Sequence, residues 1–463
     1  MFNQEVLNEL IKSLGKDNVL TEKEDLLTYS FDATAAMPRE TPNVVVTPNN
    51  TEEVATVVKI ANRYKVPIYP RGSGTNLSGG TIPLEQGIVL SLLHMDKILE
   101  IDDENLTAWV EPGVIIQDLN DAVAKYGLIY PPDPGTVTTA TMGGSVSECS
   151  GGLRGLKYGV TKHYVMGMEL VLANGDVIKW GGKTVKNVTG YDLTALYTGA
   201  EGTLGIITKI LVKLIPAPEA RKSFLAVFDD INKAGTCISA IIKNKVIPAT
   251  LEIMDNVTIR TVENFTKAGL PTEAEAVVLI EVDGYKESVA REAEIVERIC
   301  KECGAVEVRA AESDEERDNI WFARRNALPA LAQMKPTTVL EDATVPRSKI
   351  PEMLHAIRQI AEKYNLTIGT FGHAGDGNLH PTIVTDFRDK EEMERVDKAV
   401  DEIFKVAVSL GGTLSGEHGV GISKAKYLPL EFGEAGVETL RRIKEALDPN
   451  YLLNPGKIVL RGE

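Results

Sequence analysis

Cysteine is scarce. The four residues, at positions 149, 237, 300 and 303 of 463, are too few and too scattered for a disulfide framework, which fits a reducing compartment and makes the cytoplasm the expected location. Cys300 and Cys303 form a C-x-x-C at the end of a helical pattern, but no second pair completes a metal site, so they read as core and surface residues. Long apolar runs are missing as well: none approaches the ~20 residues that cross a bilayer. Residues 1–17 are amphipathic and acidic, without the basic segment and apolar run of a signal peptide. Positive charge is outweighed, with 50 Lys and Arg against 66 Asp and Glu, and the resulting formal charge of -16 repels phosphate backbones. Nucleic acid is therefore not an expected partner. Neither a G-x-G-x-x-G between a first strand and its helix nor a G-x-x-x-x-G-K-[ST] occurs, which leaves the Rossmann and P-loop readings unsupported.

What is present is an ordinary globular composition, 43% hydrophobic and 25% charged, in a chain about three times the ~150-residue prior for one domain. The run Val44-Val45-Val46, a helix with Val54, Val57, Val58 and Ala61 on one face, and a strand over residues 66–69 make a β-α-β unit. Asn50 with Glu53 reads as the helix's capping box. The unit exits into Pro70-Arg71-Gly72-Ser73-Gly74-Thr75-Asn76. Strands over 88–93, 98–101 and 106–110 and a helix over 115–126 start a second α/β unit. Residues 131–159 then run short of bulky apolar side chains. So long a bare loop is improbable inside a compact domain, and backbone packed against a large ligand is the better explanation. Asn174-Gly175-Asp176 marks a hairpin, and a boundary falls at 216–221. Beyond it, strands at 224–228, 250–254, 277–282 and 306–309 alternate with helices at 231–243 and 287–303, an α+β layer of β-α-β repeats.

Three of the six histidines, His373, His380 and His418, gather near the C-terminus. Gly372-His373-Ala374-Gly375-Asp376-Gly377-Asn378-Leu379-His380 reads as strand, turn and returning strand, a hairpin that can bring the two imidazoles side by side. Glu417, before His418, supplies a carboxylate to complete a two-histidine, one-carboxylate metal site. Neighbours on an extended segment point opposite ways, so Glu417 and His418 are expected to differ in role. His94, His163 and His355 read as structural.

Together, Pro70 to Asn76, Asp133-Pro134-Gly135, Thr141-Met142-Gly143-Gly144, Gly151-Gly152 and Glu201-Gly202-Thr203-Leu204-Gly205 resemble the FAD-binding half of the vanillyl-alcohol oxidase and p-cresol methylhydroxylase superfamily. Gly372 to Asn378, Gly416-Glu417-His418-Gly419 and the tail Asn454-Pro455-Gly456-Lys457 resemble its FAD-linked D-2-hydroxyacid dehydrogenases, the group of D-lactate dehydrogenases, the glycolate oxidase flavin subunit and D-2-hydroxyglutarate dehydrogenase. The resemblance spans nearly the whole chain. It implies an α+β protein: a p-cresol-methylhydroxylase-type FAD domain of two α/β subdomains over residues 1–217, an α+β substrate or cap domain with a mainly antiparallel sheet over 218–412, and a segment over 413–463 returning to the FAD domain and active site. It places the FAD pyrophosphate on the backbone amides of Arg71, Gly72, Ser73, Gly74, Thr75 and Asn76, an anion nest. Pro134, Gly135, Thr141, Gly143, Gly144, Ser147, Gly151, Gly202 and Ile207 complete the cofactor set. Relatives often carry Asn where this chain has Ser145 and Cys149, and no histidine lies in the glycine-rich segments, so the FAD is expected to be non-covalent.

By the same resemblance His373, His380 and Glu417 hold a divalent metal, zinc first, with iron or manganese suited to the same ligands. His418 is the general base for the substrate hydroxyl, and Arg324, in Trp321-Phe322-Ala323-Arg324-Arg325, grips the substrate carboxylate. A lysine of some hydroxyglutarate enzymes aligns with Leu340, which favours a short substrate. The implied activity is oxidation of a short D-2-hydroxyacid, D-lactate first, with hydride passing to the flavin and electrons leaving to an electron-transferring flavoprotein or an iron-sulfur subunit. Glycolate or D-2-hydroxyglutarate oxidation, a non-redox flavoenzyme of the alkyl-glycerone-phosphate synthase type, and a non-catalytic flavin subunit are the alternatives.

Overall fold

The helix Thr51–Tyr64 starts where its cap predicts: in the computed structural model, which describes residues 2–35 and 37–459, the Asn50 side chain accepts from the Glu53 N–H at 2.9 Å. Glu53 returns the bond to the side chain of Asn50 rather than to its backbone, accepting from Nδ2 at 3.0 Å. Its carboxylate takes the N–H of Asn49 at 2.8 Å, one residue further out. Val54, Val57, Val58 and Ala61 are wholly buried and share a core with Val44, Val46, Ile68, Ile88 and Leu90. These last residues belong to a four-stranded sheet ordered Val19–Leu20, Val44–Val46, Ile88–Ser91, Ile68–Arg71, whose last three strands are parallel. Parallel strands require a crossover, and the helix provides it.

A second sheet of the same unit is antiparallel throughout, ordered Ile98–Asp102, Thr107–Val110, Ile206–Lys213, Val165–Val171, Val177–Gly181. The expected hairpin joins its last two strands, where Asn174 Oδ1 accepts the Asp176 N–H at 3.0 Å. The unit thus carries two main sheets, one largely parallel and one antiparallel. Residues 131–159 are not a bare loop: Met142–Glu148 and Gly155–Tyr158 are helical, and Thr141 Oγ1 caps the first by accepting from the Gly144 N–H at 3.2 Å.

The chain forms two units, one of residues 2–150, 160–217 and 417–459, the other of 151–159 and 218–416. Residues 151–159 go with the second because Lys157 Nζ and Tyr158 Oη donate to the two carboxylate oxygens of Asp283, at 2.6 and 2.7 Å. In the first unit the returning segment is stitched to the parallel sheet. The Ile68 N–H donates to Leu452 O at 2.8 Å and the Asn454 N–H to Ile68 O at 2.7 Å, which seats Leu452 and Leu453 in the core. Lys444 Nζ, buried, donates to Thr203 O, Leu453 O and Asp448 Oδ2 at 2.6, 2.8 and 2.6 Å.

The second unit is built on one antiparallel eight-stranded sheet, ordered Glu307–Ala310, Ala220–Phe228, Ala276–Gly284, Thr250–Asp255, Thr367–His373, Asn378–Thr385, Thr337–Leu340, with Ala343–Thr344 also pairing Asn378–Thr385. The β-α-β repeats interleave. Ala220–Phe228 and Thr250–Asp255, joined through helix Ile231–Lys243, flank Ala276–Gly284, so sheet neighbours run antiparallel. Helix Lys286–Glu302 puts Cys300 in the core, 3.7 Å from Cys237 Sγ, while Cys303 is partly exposed; all four cysteines are free thiols. No helix among the described residues is long and apolar enough to cross a membrane.

Candidate functional site

The hairpin of Thr367–His373 and Asn378–Thr385 forms as its sequence indicates, with Gly377 at the turn (φ +93). A Cβ on Gly377 would lie 2.0 Å from the Val345 carbonyl oxygen, so both the dihedral and the space require glycine. The register pairs Phe371 with His380 and His373 with Asn378. His373 and His380 are thus diagonal partners on one face rather than directly opposed. Their ring centroids are 5.2 Å apart, both imidazoles are buried, and Phe371 packs against His380 at 5.5 Å.

Behind His373 stands Glu252, wholly buried in the middle of strand Thr250–Asp255. Its Oε1 lies 2.8 Å from His373 Nδ1, and its Oε2 accepts from Arg324 Nε at 2.8 Å and from Arg324 Nη2 at 2.6 Å. Burial alone would push this carboxyl up, but His373 and Arg324 outweigh it and hold it below the ordinary carboxylate value. Arg324 closes the last turn of helix Asp314–Arg325, is buried, and lies over the Phe371 ring at 4.8 Å; Arg325 beside it faces solvent. One edge of the Arg324 guanidinium is therefore committed to protein.

Behind His380 stands a second wholly buried carboxylate, Asp342, whose Oδ1 is 4.0 Å from His380 Nδ1. Asp342 accepts from Asn378 Nδ2, from Ser415 Oγ at 2.7 Å and from the Gly416 N–H at 2.9 Å. It anchors the chain up to Gly416, the last residue of the second unit. Glu417 and His418 follow as the first residues of the segment that belongs to the first unit. His418 Nε2 and Glu417 Oε1 stand 3.9 Å apart, beyond hydrogen-bond distance, and both side chains are largely buried. Two residues on, Glu201 fixes the segment: its carboxylate accepts the N–H groups of Val420 and Gly421 at 2.6 and 2.7 Å. Burial raises the Glu201 carboxyl, against the pull of those two N–H groups, Lys424 and Lys457.

In the first unit, strand Ile68–Arg71 opens into the glycine-rich loop. Gly72 lies so close to Thr141 that a Cβ on it would meet Thr141 Oγ1 at 2.3 Å, and Gly202 lies against Pro70. The loop, the cap of helix Met142–Glu148 and the Glu201-Gly202 turn thus come together, with Ser147 O accepting the Glu201 N–H at 2.8 Å. Arg71 is turned inward. Its Nη1 donates to Phe31 O at 2.7 Å and its guanidinium lies over Tyr29, which braces the loop rather than reaching out of it. Asn76 is braced by Asp32 at 2.7 Å. The N–H groups of residues 72–76 meet no acceptor among the described residues, as an anion-binding nest requires. Gly143 and Gly144 sit in the helix, and Ile207 is buried in strand Ile206–Lys213. Pro134 and Gly135 occupy a turn of the same unit, Gly135 open to solvent, whereas Gly151 lies in the second unit.

Sequence reasoning missed Glu252, Asp342 and Asp32. A signal for Glu252 existed, since Thr250-Leu251-Glu252-Ile253-Met254 is buried on both faces and a lone carboxylate there must be paired. Asp342 and Asp32 sit in irregular segments with no periodic pattern to betray them.

Residues 217–458 match the family of FAD linked oxidases, C-terminal domain, and residues 42–181 match the FAD binding domain family. A relative named glycolate oxidase subunit GlcD from Bacillus subtilis (strain 168) is 53% identical over 458 residues, 99% of this chain and 97% of that protein. One named D-lactate dehydrogenase from Archaeoglobus fulgidus is 38% identical over 436 residues, 93% of this chain and 95% of that protein. A solved structure of p-cresol methylhydroxylase with substrate bound superposes with a TM-score of 0.81 at 22% identity, covering 99% of this chain and 98% of that one, which shows the shared fold.

Proposed function

Because the chain belongs to the FAD-linked oxidase family, we propose that it oxidises a short 2-hydroxyacid to the 2-oxoacid, using the histidine hairpin of its second unit. The supporting observation is the buried His373 and His380 pair, backed by the buried ion pair of Glu252 with Arg324. Two imidazoles, a carboxylate and a guanidinium brought together out of water are what a hydroxyl and a carboxylate on adjacent carbons would need for recognition. Residues 71–76 would hold FAD without a covalent link, and the flavin would supply the two-electron acceptor for the hydride of the substrate carbon. His373, His380 and Glu417 would hold a divalent metal, zinc first, whose Lewis acidity lowers the pKa of a bound hydroxyl. His418 takes the hydroxyl proton on a ring nitrogen, a role that suits an imidazole near neutral pH. Arg324 orients the substrate carboxylate.

D-lactate and glycolate both belong to the proposed class. The relative named a glycolate oxidase subunit is 53% identical and the one named D-lactate dehydrogenase 38%, so glycolate stands beside D-lactate as the substrate to try first. Leu340, on strand Thr337–Leu340, offers no cation to a second carboxylate, which weighs against hydroxyglutarate. The reduced cofactor would pass its electrons to a partner protein, an electron-transferring flavoprotein or an iron-sulfur subunit. The test is anaerobic bleaching of the flavin absorbance by glycolate, D-lactate, L-lactate and D-2-hydroxyglutarate, with metal analysis of the same sample. A short 2-hydroxyacid should bleach the band in wild type and fail to do so in His418→Ala. A flavin that no 2-hydroxyacid reduces would leave a non-redox or assembly role.

A further inference from the structure

We propose that Glu252 is a positioning residue that sets the tautomer of His373, holding the proton on Nδ1 and leaving Nε2 as the only lone pair the ring can offer a ligand. The inference rests on the reading above for the identity of that ligand, but the tautomer itself follows from the hydrogen-bond chemistry of the second unit alone. An ionised carboxylate only accepts. Arg324 is always a donor, and it occupies Oε2 through Nε and Nη2 at 2.8 and 2.6 Å. That charge-assisted pair keeps Glu252 ionised although its side chain is wholly buried, so the remaining oxygen, 2.8 Å from His373 Nδ1, needs a hydrogen from the ring. The proton therefore sits on Nδ1. One carboxylate thereby orients two groups of the site, the imidazole through Oε1 and the guanidinium through Oε2, as carboxylates behind metal-bound histidines do.

Replacing the carboxylate with its amide inverts the logic. In Glu252→Gln, Arg324 still demands an acceptor and takes the amide oxygen, which turns the amide NH2 toward His373. An NH2 only donates, so Nδ1 must accept and the proton moves to Nε2. The variant is nearly isosteric, yet it puts a proton on the nitrogen that carries the lone pair in wild type.

The experiment is long-range proton–nitrogen correlation NMR of histidine-labelled holoprotein at pH 8, in wild type and Glu252→Gln, with His373→Gln to assign the signal. Zinc affinity is measured in parallel by competition with a chromogenic chelator. The expected result is an Nδ1–H tautomer in wild type, an Nε2–H tautomer in the variant, and zinc affinity about 10–100-fold weaker in the variant. An Nε2–H tautomer in wild type overturns the proposal without needing any variant to fold. So does a variant with both tautomer and zinc affinity unchanged. Should wild type bind no zinc while the tautomer still flips, the assignment to Glu252 stands and the metal-assisted mechanism falls, which keeps the two failures apart.

Discussion

Methionine in place of Arg324 keeps most of the side chain's length but removes its cation, and the consequence separates a structural anchor from a residue that serves substrate alone. In the second unit the Arg324–Glu252 contact consists of two charge-assisted hydrogen bonds, at 2.8 and 2.6 Å, between side chains only 7% and 0% exposed. Bonds to charged groups contribute about 1.5–3 kcal/mol each, and breaking a buried pair from one side typically costs about 3–5 kcal/mol because the surviving charge has no water. Arg324→Met should therefore destabilise the second unit by about 3–5 kcal/mol. The assay is urea unfolding followed by the fluorescence of Trp321, one helical turn before Arg324, whose Nε1 donates to Glu281 at 3.0 Å. The double variant Arg324→Met, Glu252→Met should recover much of the loss, giving a coupling energy of about 2 kcal/mol or more in the double-mutant cycle. A residue that met only substrate would raise KM and leave the unfolding midpoint in place. A midpoint shift worth less than about 0.5 kcal/mol, the range of ordinary surface substitutions, would refute the reasoning.

In the first unit, Gly72→Ala places a Cβ 2.3 Å from Thr141 Oγ1, and the resulting overpacking, about 1–3 kcal/mol, should push the 71–76 loop off its helix cap. The purified variant should carry less FAD per chain by absorbance ratio after gel filtration, and full occupancy with unchanged affinity would remove the loop from the cofactor site. Lys444→Met leaves Asp448 buried without its cation and strips donors from Thr203 O and Leu453 O, so a loss of about 3–5 kcal/mol and early proteolysis after residue 447 are expected; a wild-type digestion pattern would count against it. Burial lowers Lys457 to about 7, against the opposing pull of Glu201, Asp32 and Glu85. An unfolded lysine titrates near ~10.4, so between about pH 7 and that value the unfolded chain binds more protons and stability rises with pH, by at most about 1.4 kcal/mol per unit. Urea midpoints should climb from pH 7.5 to 9 in wild type and less steeply in Lys457→Met, and parallel slopes would exclude Lys457 as the cause.

Much of this architecture was legible because its strands and helices carry strong periodic patterns. Helix Ile231–Lys243 matches its expected limits, and strands such as Thr250–Asp255 and Ala276–Gly284 extend theirs by a residue or two. The FAD-binding fold was legible through glycine motifs in order rather than through any one of them. Residues 131–159 hid two helices because Gly143, Gly144, Ser145 and Ser147 have poor helix propensity, and tertiary packing on Pro112 and Val114 supplies what propensity does not. The histidine pair could be named from the hairpin, but its register could not, since the turn length decides whether His373 faces His380 directly or diagonally. The partners of Glu252 and Asp342 stayed invisible for a different reason. Those partners lie far along the chain, 121 positions away for Glu252 and His373 and 73 for Asp342 and Ser415, and only the folded protein brings them together.

The stitching of residues 417–459 into the first unit bears on how the protein is made. Leu452 and Leu453 fill a core whose other members, from Val6 to Ile206, emerge from the ribosome long before them, and Glu201 waits for Val420 and Gly421. The amino-terminal half therefore cannot finish folding during its own synthesis, unlike a domain contained in one contiguous stretch. The sheet of the second unit, encoded in between, is ready first. Cofactor loading becomes a late event in biogenesis, and a nascent chain stalled before residue 417 should leave the ribosome colourless.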